Sequence, residues 1–173
     1  MGIKLIFLDV DGVLNNYYST SVCDGYIGID DDKVAKLRKI VDATGAKIVL
    51  SSTWRLGYTM YGKELPHHME YLTEKLAKQD LEVYSVTPDW SRGGRSMRGR
   101  EIRTWLDENS EPPVDEWVVL DDEYFYDFNS YNITPHWVQT SYHSRDGGLT
   151  DEKVKEAIRV LNGGLPDGIQ DDE

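Results

Sequence analysis

The chain has 173 residues, with 31 Asp and Glu against 19 Lys and Arg and a formal net charge of −12. So acidic a protein lacks the basic field that carries tight binding of long duplexes, though a nucleotide or a strand end can still be gripped locally. A single cysteine, Cys23, excludes an intrachain disulfide framework, and no apolar run approaches the ~20 residues of a membrane span.

With no basic-plus-apolar signal at the N-terminus, the expectation is a cytoplasmic protein. Its expected organisation is one domain over residues 1–165 and a flexible acidic tail over 166–173. Residues 3–8, broken only by Lys4, read as a buried strand, and a polar loop holding Asn15, Asn16, Tyr17 and Tyr18 follows. Residues 30–44 read as a helix, with Val34, Leu37, Ile40 and Val41 at helical spacing, aspartates at its start and Gly45 as its stop. Residues 47–50 form the second buried strand. The next helix covers 65–78, with Met69, Leu72 and Leu76 on one side and Pro66 in the first turn, where its missing N–H costs nothing. A third strand at 81–86, a helix at 99–108, a fourth strand at 117–120, a fifth at 136–139 and a last helix at 150–161 complete the series.

Strands separated by helices predict an α/β, Rossmann-like fold: a parallel sheet of about five strands with helices on both faces. In such sheets ligands bind beyond the carboxyl ends of the strands, where strand order reverses. Asp9 and Asp11, then Ser51, Ser52 and Thr53, then Asp121 and Asp122 all follow predicted strands. These residues are therefore expected to share one crevice.

An isolated Asp-x-Asp-Gly is as readily an acidic turn as a site. An EF-hand loop is rejected, because a strand precedes the motif and Val13 and Leu14 occupy positions unsuited to such a loop. The second pair, Asp121-Asp122, gives the first its meaning. Two like charges 4 Å apart repel by about 4 kcal/mol at an effective dielectric near 20. A hard divalent cation relieves that repulsion, and oxygen-only ligands favour Mg²⁺.

The segment Asp9-Val10-Asp11-Gly12-Val13-Leu14 resembles motif I of the haloacid-dehalogenase (HAD) superfamily. Ile48-Val49-Leu50-Ser51 is similar to its motif II and Asp121-Asp122 to its motif IV. The runs Ser51–Arg55 and Arg98–Leu106 resemble a minimally capped branch that includes phage proteins and nucleic-acid-repair phosphatase domains. The resemblance implies a HAD-like fold and a phosphatase in which Asp9 attacks phosphorus and Asp11 serves as general acid and base. It also implies Mg²⁺ held by the Asp9 carboxylate, the Asp11 carbonyl and Asp121, with Asp122 a direct or outer ligand. Ser51 would donate to a phosphoryl oxygen. The motif III cation is expected at Arg98, with Arg100 the alternative.

Only residues 15–29 separate motif I from the next helix, and 56–96 are largely used by a helix, a strand and a Gly/Arg loop. The cap is therefore predicted to be minimal and the site open. Gly12, Ser52, Arg55 and Arg100 are expected around the substrate. Trp54 and the Tyr17-Tyr18 pair are read either as packing or as surfaces on which a base could stack. His67 and His68 are read as surface residues. The leading reading is a phosphomonoesterase for a nucleotide or a nucleic-acid 3′ end. The alternatives are a non-catalytic module of the same fold and a phosphotransferase acting on a small metabolite.

Overall fold

The computed structural model describes residues 2–56, 65–93 and 95–169. Residues 57–64 and 94 of the predicted 56–96 stretch, and 170–173 of the predicted tail, lie outside the described residues. The chain opens with β1 (Ile3–Leu8), whose last four residues are buried. It then enters a short antiparallel hairpin of β2 (Val22–Cys23) and β3 (Tyr26–Ile27). Periodicity does not reveal this hairpin, since two-residue strands are too short to alternate. Its turn does carry a local signal. Asp24 and Gly25 have φ of 51° and 81°, the left-handed pair that a tight hairpin turn requires and that Asp-Gly supplies.

Helix α1 (Asp31–Thr44) follows and ends at Gly45 with φ 70°, a left-handed C-terminal stop that costs glycine least. Next come β4 (Lys47–Leu50), α2 (His67–Ala77), β5 (Val83–Val86), α3 (Arg98–Glu108), β6 (Val114–Asp121), β7 (Trp137–Gln139) and α4 (Asp151–Leu161). The Thr150 side chain caps α4 by accepting from the Lys153 N–H. Strand β6 starts earlier than its apolar run because Ile3 and Lys4 of β1 pair with Val114 and Glu116. Tertiary pairing here extends a strand beyond its hydrophobic signal.

The five sheet strands run parallel in the order β5-β4-β1-β6-β7. From β1 the chain steps outward through β4 to β5, then returns to the far side of β1 for β6 and β7. Strand order therefore reverses between β1 and β6. Pleat alternation sorts the core into two layers: Ile6, Leu8, Ile48, Leu50, Val118 and Leu120 pack with α1, α2 and α4. Leu5, Phe7, Val49, Trp117 and Val119 pack instead with Ile102 and Trp105 of α3. Each such side chain contributes about 1.5–3 kcal/mol on burial. The sheet lies between two helical layers and is held at its centre by β1. At the start of the predicted tail, Asp167 is tied to α4, its N–H donating to Glu156 (2.9 Å) and its carboxylate accepting from Arg159 (2.5 Å).

Candidate active site

The reversal of strand order leaves a notch at the carboxyl edge of the sheet, and the ladder runs one step past the strands to line it. Asp9 N donates to Leu120 O (3.0 Å) and Ser51 N to Leu8 O (2.8 Å), setting the ends of β1, β4 and β6 side by side. Beyond Asp9, the fully buried Val10, Val13 and Leu14 pin the loop to the core. Gly12 has φ 82°, and a Cβ there would overlap the Asp122 carboxyl group. Only glycine permits this loop to lie against Asp122. Asn15 Oδ1 accepts from Gly12 N (3.0 Å) and the Thr140 hydroxyl donates to Gly12 O (2.6 Å), fixing the turn from both sides.

Asp9, Asp121 and Asp122 converge, each offering an oxygen within 4.8 Å of the other two, and the group could hold a metal ion. Burial pushes the Asp9 carboxyl above its ordinary range, while the Arg98 guanidinium and a Ser52 hydrogen bond pull it down. Asp121 is raised well above the ordinary value by burial and then by the Asp9 charge. Asp122 is pushed up to about 6, by burial first and Asp9 second. One arginine does not neutralise three carboxylates, and the residual repulsion is what a divalent cation removes. The donor set fits such a group. Asp121 Oδ2 and Ser51 Oγ are buried without hydrogen-bond partners, as are Arg98 Nε and Nη1. Buried polar atoms are nearly always satisfied, so these orphans suit a cation on one side and an anionic oxygen on the other.

Arg98 is the first residue of α3 and only 3% exposed. Its Nη1 lies 3.4 Å from Asp121 Oδ2 and 3.7 Å from Asp9 Oδ1. The two oxygens of Asp127 accept from the backbone N–H groups of Gly99 and Arg100, both at 3.0 Å, and so anchor the start of α3. A Cβ on Gly99 would press on Asp127, so the close approach needs glycine. Arg100, the alternative motif III cation, lies elsewhere: its guanidinium sits 4.4 Å from the Trp90 ring.

Arg55, expected at the substrate, has a different setting. Its side chain is buried, donates to the carbonyls of Ser52 (2.6 Å), Thr87 (3.0 Å) and Pro88 (3.1 Å), and pairs with buried Glu101 at 2.9 Å. A guanidinium out of water needs this many partners, which leaves it little reach for a ligand. Ser51 and Ser52 are both buried beside Asp9 at the end of β4.

Asp11 stands at the wall of a neighbouring crevice of about 660 Å³, lined also by Tyr26, Ile27, Trp54, His68 and Tyr142. Its carboxylate accepts from Asn15 Nδ2 (2.9 Å) and from the Trp54 indole N–H (3.0 Å). Asn15 Nδ2 also donates to Gly28 O (2.7 Å), so one buried amide links the acidic loop to the foot of the hairpin. Periodicity gives no signal for the Trp54 contact or for Asn15, because both act across a turn. The hairpin supplies the opposite wall. Its Asp24 bonds His67 Nδ1 at 2.6 Å, and Cys23 lies beside them.

A parallel sheet with this strand order, an acidic cluster at the reversal and an arginine at the start of α3 define a HAD-type domain. Residues 5–154 match the family described as the HAD domain in Swiss Army Knife RNA repair proteins. The chain belongs to that family. Membership points to a hydrolase of phosphatase type. No match is found among curated proteins or solved structures. Among the described residues, no helix is long and apolar enough to cross a membrane.

Proposed function

We propose that the protein is a Mg²⁺-dependent phosphomonoesterase that works through a phosphorylated Asp9. Its proposed substrate is the terminal phosphate of a nucleotide or of a nucleic-acid 3′ end. The observation that carries the reading is the convergence of Asp9, Asp121 and Asp122 beside Arg98 at the reversal of strand order. When bound there, the cation would shield the phosphoryl oxygens and align them for in-line attack. The Asp9 and Asp121 carboxylates, with the Asp11 carbonyl, are its proposed ligands, and Asp122 would hold it directly or through water. Asp9 attacks phosphorus, and the ester P–O bond breaks as Asp11 gives its proton to the leaving oxygen. Water then attacks the same phosphorus, Asp11 takes its proton, and the bond to Asp9 breaks to release inorganic phosphate. Arg98 is the motif III cation, and Ser51 Oγ donates to a phosphoryl oxygen. Gly12 and Ser52 shape the phosphate's seat.

The family's description, RNA repair, supports a nucleic-acid end as the substrate. A cytoplasmic setting and a single phosphatase domain over 1–165, with 166–173 as an appended tail, belong to the same reading. The test is hydrolysis of p-nitrophenyl phosphate with Mg²⁺. Turnover is expected, with loss on EDTA addition and a fall of at least about 10³-fold in Asp9→Asn. Turnover that survives in Asp9→Asn would sink the covalent mechanism. A panel of mononucleotides against 3′-phosphorylated oligonucleotides then ranks the substrates.

A further inference from the structure

Four aromatic side chains beside the crevice are left unused by the phosphatase chemistry. Tyr17 and Tyr18, on the loop after β1, are 60% and 50% exposed although both are large and apolar. Tyr17 and Tyr18 meet edge to face with centroids 5.3 Å apart, and Tyr17 lies 6.3 Å from Tyr142. Tyr142 in turn meets His143 at 5.1 Å, and the Arg145 guanidinium lies 5.5 Å from the Tyr18 ring. No two of these rings stack on each other, Tyr17 and His143 being tilted at 6.4 Å, and the exposed parts of Tyr17 and Tyr18 are the surface a ligand would meet.

The cluster is built, not accidental. Tyr17 N donates to Tyr142 O (2.9 Å), and Asn16 Nδ2 reaches the carbonyls of Ser144 and Arg145 (both 3.4 Å). Asn16 Oδ1 accepts from Tyr18 N (2.9 Å), so a single buried amide fixes both loops. A backbone fixed this way leaves only side-chain freedom to lose when something settles on the rings. Tyr142 also borders the crevice that holds Asp11, which brings the platform next to the phosphate-bearing end of a substrate.

We propose that Tyr17, Tyr18, Tyr142 and His143, with Arg145, form a stacking platform for the unpaired base adjoining the scissile phosphate. The platform rests on the reading of the crevice as a phosphatase site for nucleotide ends. Its occupant is a single strand. Every base offers a π-face to such rings, and stacking needs no basic field, which a chain of net charge −12 does not offer. Arg145 supplies one cation for a backbone phosphate. One such contact gives a salt slope of roughly −0.7, against several times that for charge-driven strand binding.

The test needs no catalysis. A 5′-labelled single-stranded RNA of roughly eight nucleotides with a 3′ hydroxyl is titrated against the full chain by fluorescence anisotropy. The wild type is expected to bind it with a shallow salt slope and to prefer it to the matching duplex. Tyr17→Ala and Tyr18→Ala should each weaken binding by roughly 5- to 150-fold, and Tyr17→Phe and Tyr18→Phe should retain most of it. The ratio of kcat/KM for a 3′-phosphorylated strand to that for p-nitrophenyl phosphate should fall in the Ala variants. No binding by the wild type, equal binding by the Ala variants, or equal loss in the Phe and Ala variants would overturn the platform. If Ala variants lose RNA but no form hydrolyses any phosphate ester, the platform stands and the phosphatase reading falls. Asp9-dependent turnover with RNA binding indifferent to both tyrosines leaves the reverse.

Discussion

At the scale of single residues, two buried arginines meet the same shortage of water and answer it differently. Arg55 directs its donors to three carbonyls and Glu101. Arg98 turns Nη1 toward Asp121 and Asp9, its Nε lies 3.9 Å from that same Glu101, and neither nitrogen has a hydrogen-bond partner. We propose that these partners, not residue type, separate a scaffold arginine from a site arginine. Arg55→Ala should therefore leave buried Glu101 with the Trp90 N–H and the more distant Arg98, and lower stability by up to about 3–5 kcal/mol, read as a shift in denaturant midpoint. Adding Glu101→Ala should restore part of that loss. If Arg55 instead held a substrate phosphate, the midpoint would stay put and only KM would rise. An arginine just past a strand looks the same in sequence in both roles, because its partner Glu101 belongs to a helix distant along the chain. The helix start beside Arg98 was legible to within a residue because helix starts follow local pattern, whereas its role as the motif III cation was expected only from the family resemblance, with Arg100 the alternative.

At the scale of elements, α3 begins without a capping side chain of its own, and Asp127 from the loop after β6 takes that place. The loop that follows the acidic pair thus also aims Arg98. Asp127→Ala should cost about 1–2 kcal/mol in stability, as lost caps do. Because α3 carries Arg98, kcat should drop further than in a surface cap variant of equal stability. Thermal melts beside steady-state rates with p-nitrophenyl phosphate check both. The strands and helices were readable because apolar periodicity and Gly or Thr punctuation agreed with tertiary pairing. The hairpin was not, since β2 and β3 hold two residues each. The same limit hid Trp54: an indole N–H reaching Asp11 across a turn has no period to betray it.

For the whole molecule, the acidic cluster should make stability depend on pH and on metal together. Carboxyls in an unfolded chain titrate near 4. In the fold Asp122 is held up at about 6, and Asp9 and Asp121 are raised too. As pH rises from about 4 to about 6, the unfolded chain releases its protons first, so the metal-free fold loses stability across that window. Below it both states are protonated and the penalty is absent. A cation among the three carboxylates competes with those protons, so its benefit should grow from pH 5 to pH 7. At a concentration 100 times its dissociation constant, Mg²⁺ should add about 2.7 kcal/mol at pH 7. That is about 5–10 °C in Tm for a chain of this size. Paired melts with Mg²⁺ and with EDTA at both pH values give the comparison. A Tm gain that shrinks toward neutrality would contradict the cluster as the metal's seat.

The hairpin also carries the chain's one thiol. Cys23 is 5% exposed on β2, in the wall opposite Asp11, and burial beside Asp24 holds the thiol up in its unreactive form. Alkylation of a thiol so placed is expected to be slow, and with no competing cysteine to correct for, its rate reports how far the crevice wall exposes it. Ligands that clamp the wall should slow the modification, and ligands that wedge it outward should hasten it. Mass spectrometry of a timed iodoacetamide reaction would tell the two apart.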